Sequence, residues 1–299
     1  MSKPLTVREI LGKTEAYLRD KNVDSPRLSA QLLLAKGLEM DRISLFVNLD
    51  RPLKEAELAA VRPLVARRGK GEPIAYILGE REFFGLDFLV TPDVLIPRPE
   101  TEMLIEEAKR LFATDLPLSV ADLGSGSGCL AVTLAKEFPN ASVTALDSSP
   151  AALAVATQNA VKHGVEGRIA FVLGDFAALP AAEGGYDLIV ANPPYVSQAE
   201  YAELSPEVAG FEPRCALVPD ESGASPASGL EAYPCVVAVA QRRLKPQGVL
   251  AMEIGWKQGE VLKALLESPE FGFEGVAVLK DLAGHDRVVM GRKAGQSEG

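Results

Sequence analysis

The chain of 299 residues has no long apolar run, few histidines and few cysteines. Without an uncharged apolar run of about 18 or more residues, no membrane-spanning helix is expected. The amino terminus also lacks the apolar core of a secretory signal. The three cysteines, Cys129, Cys215 and Cys235, are an odd number at spacings that fit no metal site. We therefore expect free thiols in a reducing cytoplasm, with neither a metal site nor a membrane partner.

The sequence also lacks a general excess of basic residues. Its net charge is −10, and this charge is unevenly distributed. Residues 1–75 carry 14 Lys and Arg against 10 Asp and Glu, whereas the remainder carries 17 against 31. A protein that grips long duplex nucleic acid usually presents a strong basic face. This balance argues against a DNA partner, and the change of sign near residue 75 indicates two modules.

Residues 1–73 are predicted to form a small all-helical domain. Thr6 and Glu9 fit a capping box that opens the first helix. Ser25 fits an N-cap, with Pro26 at the first position of the second helix. A third run with helical periodicity follows. These helices contain no catalytic constellation, so a cap or an adaptor is the expected role of this domain.

After the helical domain, the residue pattern changes from helical periodicity to that of strands. In residues 74–97, aromatic and β-branched residues alternate around Gly79 and Gly85, which predicts a β-hairpin linker. Residues 98–299 alternate between strands and helices, with seven predicted strands, of which the last two look antiparallel. Repeating strand–helix units imply an α/β fold with a mostly parallel sheet covered on both faces. Ligands bind beyond the carboxyl ends of such strands, and the motifs described next follow strand ends.

The first predicted strand of this sheet ends in a glycine-rich loop. The loop contains Gly124, Ser125, Gly126, Ser127 and Gly128, and it leads into a helix. Glycines allow a tight turn and a close approach of the backbone to a ligand. The spacing fits neither the dinucleotide-binding fingerprint nor a P-loop. For this loop taken alone, a plain tight turn stays open as an alternative.

Acidic residues end the next two predicted strands. Asp147 lies 23 residues after Gly124, where a carboxylate can accept hydrogen bonds from both ribose hydroxyls, although it could instead cap the next helix. Asp175 could bind an adenine amino group and Phe176 could cover the ring, or the pair could be ordinary strand-end chemistry. A ribose-binding acid without a phosphate cradle favours a nucleoside that carries no phosphates. S-adenosylmethionine fits that description.

The fourth predicted strand ends in Asn192, Pro193, Pro194 and Tyr195. The Asn192 side-chain oxygen and the Pro193 carbonyl could accept both N–H bonds of a planar amino group, making its nitrogen more nucleophilic. The prolines would hold that carbonyl in place, and Tyr195 could stack on the planar group. The methyl acceptor must be aimed along the S–CH3 axis, and no strong general base is needed. The motif does not distinguish an exocyclic amine of adenine or guanine from a glutamine side-chain amide.

Further motifs occur along nearly the whole chain. They are DSPR at 24–27, GEP at 71–73, LIPRPETE at 95–102, FEP at 211–213, EIG at 253–255 and DLAG at 281–284. With the glycine loop and Asn192–Tyr195, these motifs resemble the release factor glutamine methyltransferases, the HemK-type enzymes. The PRPETE run is the most specific to that family, whereas Asn-Pro-Pro-Tyr is shared with DNA and RNA amino-methyltransferases.

The resemblance implies a Rossmann-like class I methyltransferase that uses S-adenosylmethionine and releases S-adenosylhomocysteine. It implies methylation of the glutamine in the Gly-Gly-Gln motif of class 1 peptide chain release factors. Residues 1–73 would dock on the release factor, and residues 98–299 would form the methyltransferase domain. The cofactor would be held by the residues that match the family's binding positions, Gly124 to Gly128, Asp147, Phe176 and Asn192. A monomer is the expected state.

Two alternatives to this function remain. A DNA or RNA amino-methyltransferase could use the same Asn192–Tyr195 motif, although the acidic charge of the sheet-forming part argues against it. A cofactor-binding adaptor without turnover could retain the fold, although the intact motif argues against that.

One segment departs from the family pattern. Residues 218–230 are longer and more polar than the family's usual Gly-Gly-x-Asp-Gly-Leu run, and Ser228 replaces the aspartate. We expect a surface loop there. Nearby, Arg98 and Glu100 could order the cofactor entrance or fix the linker by ion pairs. Cys129 could be a thiol activated by a helix amino terminus or simply a small packed residue.

Overall fold

A computed structural model describes residues 4–219 and 227–295. In chain order its α-helices are α1 (Val7–Asp20), α2 (Pro26–Gly37), α3 (Arg42–Val47), α4 (Glu55–Arg68), α5 (Ile74–Leu78), α6 (Glu102–Leu111), α7 (Cys129–Glu137), α8 (Pro150–Lys162), α9 (Gln198–Tyr201), α10 (Pro206–Phe211), α11 (Ala232–Arg243) and α12 (Gly259–Glu267). Its strands are β1 (Glu80–Phe83), β2 (Leu86–Leu89), β3 (Ser119–Leu123), β4 (Ser142–Asp147), β5 (Ile169–Leu173), β6 (Tyr186–Ala191), β7 (Leu244–Glu253), β8 (Phe273–Lys280) and β9 (Asp286–Lys293). Within the described ranges, no helix is both long enough and apolar enough to cross a membrane.

The first compact unit is helical, and it comprises the residues up to Glu80 together with Ser205–Phe211. The predicted capping box is confirmed, because the Thr6 hydroxyl accepts from the Glu9 amide and the Glu9 carboxylate accepts from the Thr6 amide. The predicted side-chain cap at Ser25 is wrong. Ser25 has a φ of 47°, and its hydroxyl donates to the carboxylate of Asp24 instead of accepting from the helix.

A buried arginine joins two separate parts of this helical unit. Arg68 is 3% exposed, and its guanidinium donates to the Glu72 carbonyl oxygen at 2.8 Å. The same Nη1 lies 2.8 Å from the Glu207 carboxylate in α10. A buried guanidinium requires such partners, because an unpaired charge in an apolar interior is strongly unfavourable. This ion pair therefore ties the late segment 205–211 to helix α4.

Two glycines in these helices should respond in opposite directions to the same substitution. A Cβ at Gly37 would lie 2.6 Å from Cγ2 of Val61, whereas a Cβ at Gly12 would meet nothing within 4 Å. We expect Gly37→Ala to lower the free energy of unfolding by about 1–3 kcal/mol through overpacking. Gly12→Ala, the matched control, should raise it by about 0.5–1 kcal/mol through helix propensity. Urea denaturation followed by circular dichroism measures both, and equal effects at the two sites would show that Val61 does not restrict the space beside Gly37.

The predicted linker at 74–97 is only partly a hairpin. Residues 74–78 form α5, which ends at Gly79 with a φ of 78°, and the hairpin of β1 and β2 occupies residues 80–89. Phe83 and Phe88 are fully buried in the core of the second unit. The division between the compact units falls after Glu80, within the segment 74–97 that was predicted as the linker.

The second unit contains a seven-stranded sheet in the order β5-β4-β3-β6-β7-β9-β8. The five strands from β5 to β7 in this order are parallel, and β9 pairs antiparallel with both β7 and β8. The predicted α/β fold with a mostly parallel sheet is confirmed, and apolar clusters cover both faces as expected for strands that are buried on two sides. Helices α3, α6 and α12 go beyond the predicted elements. In register, Leu123 at the end of β3 pairs with Leu146 and with Ala191, so the loops after β3, β4 and β6 leave from one edge.

Candidate active site

A cavity of about 440 Å³ opens at this edge of the sheet. Its volume lies within the range of sites that hold small molecules, roughly 300–1,000 Å³. Most of the predicted site residues line it, namely Gly124, Ser125, Gly126, Ser127, Asp147, Asp175, Phe176, Asn192 and Pro194. Gly128, Pro193 and Tyr195 lie outside this lining. The fold therefore brings residues from four separate strand ends into one cavity.

Two glycines of the loop after β3 need the conformations that the backbone gives them. Gly124 has a φ of 80°, and a Cβ there would lie 3.7 Å from the Phe176 ring and 3.9 Å from the Asn192 carbonyl oxygen. Gly128 has a φ of 79°, and its Cβ would lie 2.9 Å from Cβ of Ala156 in α8. A side chain at Gly128 would thus separate α7 from α8, which explains a glycine that packs beside the cavity without lining it.

Asp147 braces the glycine loop and does not cap the following helix. One carboxylate oxygen accepts from the Gly126 amide at 2.8 Å, and the other accepts from the Ser149 amide at 2.9 Å. The cap of α8 is instead Ser149, whose hydroxyl accepts from the Ala152 amide. A carboxylate oxygen has two lone pairs, so each oxygen of Asp147 can accept a further hydrogen bond from a ligand in the cavity.

Asp175 and Phe176 have less distinctive surroundings. The Asp175 carboxylate accepts from the Ala178 amide at 3.2 Å and so caps the short helical turn Phe176–Ala178. The Phe176 ring packs on the apolar cluster and lines the cavity beside Gly124. The capping bond is the ordinary strand-end chemistry that the sequence left open for Asp175, whereas the position of Phe176 allows its ring to cover a ligand.

Asp122 is a buried acid beneath the loop, and it was not among the predicted site residues. It is 1% exposed, one of its oxygens accepts from the Ala131 amide, and Oδ1 has no hydrogen-bond partner within the described ranges. Burial raises the pKa of Asp122 to about 7, and the charge of Asp147 adds to this effect. Its sequence signal is weak, because a single acid inside an apolar strand is easily missed.

The folded chain should therefore lose stability as Asp122 ionises. Its pKa rises from 3.8 to about 7 on folding, so its contribution is fully present below pH 3.8 and is lost as the pH rises through about 7. The loss is at most about 4 kcal/mol. Asp122→Asn should consequently gain stability relative to the unsubstituted chain between about pH 5 and about pH 8. Urea denaturation at both pH values measures this, and a difference that does not change with pH would contradict it.

A hydrogen-bonded network holds the Asn192–Tyr195 motif after β6. The Asn192 side-chain nitrogen donates to the Thr101 hydroxyl at 3.2 Å, and that hydroxyl donates to Glu253 at 2.5 Å. The Tyr195 hydroxyl donates to the other oxygen of Glu253 at 3.1 Å. Glu253 is 1% exposed, and burial raises its pKa despite the two hydroxyl donors. Burial and the charge of Glu253 also raise the pKa of Tyr195, so the phenol remains a protonated donor.

A glutamine fixes the backbone at the end of the same motif. The Gln258 side-chain nitrogen donates to the carbonyl oxygens of Tyr195, at 3.2 Å, and Gly229, at 3.1 Å. Its oxygen accepts from the Gly255 amide at 2.8 Å and from the Tyr233 hydroxyl at 3.1 Å. Both N–H bonds and both lone pairs of this side-chain amide are used, which makes Gln258 a rigid support for Tyr195.

Arg98 holds the chain before α6 by an ion pair with the buried Glu212, at 2.6 Å. Glu212 also accepts from the Ile96 amide, which supports a role in fixing the chain.

Cys129 is not an activated thiol. Burial raises the pKa of Cys129 to about 12, so its thiol stays protonated. Of the loop expected at 218–230, residues 220–226 lie outside the described residues. Within residues 4–219 and 227–295, no cluster of His, Cys, Asp and Glu is arranged to hold a metal ion.

Comparisons with known proteins match both units. Residues 9–79 match the family model of the PrmC N-terminal domain, and residues 117–288 match a methyltransferase domain. A release factor glutamine methyltransferase of Nitratidesulfovibrio vulgaris is 46% identical over 288 residues, which cover 96% of this chain and 95% of the relative. Proteins of the same name from Geobacter sulfurreducens and Chlorobaculum tepidum are 45% and 42% identical, and cover 96% and 95% of this chain and 96% of each relative.

Proposed function

The chain belongs to the family of release factor glutamine methyltransferases, and from this membership we propose that it methylates class 1 peptide chain release factors. The acceptor is the side-chain amide nitrogen of the glutamine in their Gly-Gly-Gln motif, and the methyl donor is S-adenosylmethionine. The observation that carries the proposal is the position of Asn192, which lines the same cavity as Gly124, Asp147 and Phe176. A hydrogen-bond acceptor for planar N–H groups therefore lies next to the residues proposed to bind the cofactor.

The residues that line the cavity fit S-adenosylmethionine. Asp147 would accept hydrogen bonds from the ribose hydroxyls, Phe176 would cover the adenine, and Asp175 would bind the adenine amino group. The backbone of Gly124 to Ser127 would lie against the remainder of the molecule. When bound, the cofactor supplies a methyl group on a positively charged sulfonium, and the buried Asp122 and the half-buried Asp147 favour a cation nearby.

The Asn192–Tyr195 motif would make the planar amide nitrogen of the substrate, which is normally a poor nucleophile, more reactive. The Asn192 amide uses its nitrogen on Thr101, which leaves its oxygen for one N–H of the substrate amide. The carbonyl of Pro193 would take the other, and its neighbour Pro194 restricts the backbone that presents it. Held by both N–H bonds, the substrate nitrogen can become more pyramidal and can be aimed at the methyl group. Its proton can leave after transfer, so the step requires no strong base.

Recognition of the protein substrate is assigned to the helical domain. Residues 9–79 match the PrmC N-terminal domain. We assign release-factor docking to the helical domain predicted at 1–73. Because its substrate belongs to translation, the protein is expected to act in the cytoplasm, and we expect it to act as a monomer.

A labelled-methyl transfer assay with several acceptors tests the proposed reaction. The acceptors are a class 1 release factor, the same factor with the Gly-Gly-Gln glutamine changed to alanine, and DNA together with bulk RNA. We expect label on the first acceptor alone. Asn192→Ala should lower kcat by about 100-fold or more, as expected for the loss of a preorganised hydrogen bond at a reaction centre.

Two results would contradict the proposal. Label on nucleic acid alone would identify an amino-methyltransferase that uses the same motif. Cofactor binding without label on any acceptor would favour an adaptor without turnover. Asn140→Ala, which removes an exposed asparagine, is the matched control and should not change the rate.

The proposed role of Asp147 predicts a selective loss of cofactor affinity. Asp147→Asn removes the charge that strengthens the hydrogen bonds to the ribose hydroxyls, so the Kd for S-adenosylmethionine should rise by about 10- to 100-fold. Isothermal titration calorimetry measures this change. A cofactor analogue that lacks both ribose hydroxyls closes a double-mutant cycle, because the substitution should then have little effect. An equal loss with both ligands would show that Asp147 acts only through the loop.

A further inference from the structure

We propose that Glu253 is a positioning residue that sets which way the Asn192 side-chain amide faces and holds the Tyr195 ring over the acceptor. The inference rests on the proposed function, because it concerns the same acceptor site. Glu253 ends β7, and the register between β6 and β7 pairs Ala191 with Met252. The residues that follow this pair are Asn192 and Glu253, so the sheet itself brings the carboxylate beside the motif.

The direction of the hydrogen bonds follows from the number of protons available. A carboxylate accepts hydrogen bonds and donates none, and a threonine hydroxyl has a single proton. Thr101 donates that proton to Glu253 at 2.5 Å, so it can present only a lone pair to Asn192. Asn192 must therefore direct its NH2 group toward Thr101, at 3.2 Å. The side-chain oxygen of Asn192 is then the atom left for the substrate amide, and this is the orientation that the proposed reaction requires.

The second oxygen of the Glu253 carboxylate holds Tyr195 in position. The Tyr195 hydroxyl donates to Glu253 at 3.1 Å, while its backbone carbonyl oxygen accepts from Gln258 at 3.2 Å. The residue is thus held at both ends, and its ring has little freedom to turn away. One buried carboxylate thereby controls the amide that accepts from the substrate and the ring beside it.

The carboxylate must be ionised for this arrangement to hold. Burial and the negative charge of Glu100 disfavour ionisation of Glu253. The two hydroxyl donors and the positive charge of Arg287 favour it. Burial outweighs these contributions and raises the pKa of Glu253, so it is the geometry, with a hydroxyl donor on each carboxylate oxygen, that favours the ionised form.

Three substitutions separate this role from a purely structural one. Glu253→Gln retains the shape but can donate an N–H to Thr101, which frees the Thr101 proton to approach Asn192 and allows its amide to flip. Thr101→Val retains the shape and removes the acceptor for Asn192. Thr101→Ser retains the hydroxyl, and so it should restore most of the rate that Thr101→Val loses. We expect Glu253→Gln and Thr101→Val to lower kcat by about 10- to 100-fold, as expected for a misplaced reacting group. The Kd for S-adenosylmethionine should change by no more than about twofold, because the cofactor contacts remain.

A second readout observes the amide itself and does not depend on the acceptor. The chain has five asparagines, so labelling asparagine side chains with 15N gives five NH2 signal pairs by NMR. The pair of Asn192 is assigned by its loss in Asn192→Ala. We expect this pair to exchange slowly with solvent in the unsubstituted chain and to shift and exchange faster in Glu253→Gln and Thr101→Val.

The two readouts separate failure of this inference from failure of the proposed function. An Asn192 signal and a kcat that are both unchanged in Glu253→Gln would overturn the inference. So would loss of activity in that variant without any change of the Asn192 signal. If Glu253→Gln fails to fold, comparison of Thr101→Val with Thr101→Ser decides the same question. If the unsubstituted chain does not methylate a release factor, the proposed function fails, and the NMR comparison still decides the orientation of Asn192.

Discussion

The reversal of strand order between β3 and β6 decides where the chemistry of this protein can occur. The sheet continues from β3 through β4 and β5 on one side and from β6 through β7 on the other, so the connections leave this edge in opposite directions and a crevice opens between them. Gly124 and Asn192 are the first residues beyond the two strands, and a Cβ at Gly124 would lie only 3.9 Å from the Asn192 carbonyl oxygen. The groups proposed to hold the cofactor lie on the β3–β5 side, and those proposed to hold the acceptor lie on the β6–β7 side. This separation would allow one loop to bind the methyl donor while the other orients its acceptor.

Two buried acids at this edge differ in how many of their carboxylate oxygens accept hydrogen bonds. Glu253 has a hydroxyl donor on each oxygen, from Thr101 and from Tyr195, so its network is complete and favours one geometry. Asp122 has a backbone donor on one oxygen, while the other has no partner within the described ranges. An incompletely paired buried acid destabilises the folded chain, and a positively charged ligand nearby relieves part of that cost. Glu253 therefore contributes rigidity, whereas ionisation of Asp122 is unfavourable in the folded chain.

The sequence predicted best which residues would lie together at one edge of the sheet, because that position depends only on each residue's own strand end. Asp147, Phe176 and Asn192 each follow an apolar run, and a parallel sheet necessarily places such positions at one edge. The partnership of Thr101 with Glu253 joins residues 152 positions apart, and neither periodicity nor spacing encodes it. Ser25 has the residue type of an N-cap, but its left-handed backbone turns the hydroxyl away from the helix. Gly79 ends a short helix and does not begin a hairpin, because the apolar residues before it are buried in the helical unit as α5.

The hydrogen bonds proposed at Asn192 would select a planar amino group but not the molecule that carries it. Two carbonyl oxygens accept two N–H bonds equally well from an amide or from a nucleobase, so selection of a protein substrate needs binding energy from surfaces away from the reacting atoms. The chain itself connects the helical unit with residues that line the cavity. After Tyr195 it enters the helical unit at residues 205–211, where Glu207 pairs with Arg68, and it then returns to line the cavity at Pro213. Residues 205–211 thus belong to the helical unit, although in sequence they lie between the Asn192–Tyr195 motif and Pro213 of the cavity.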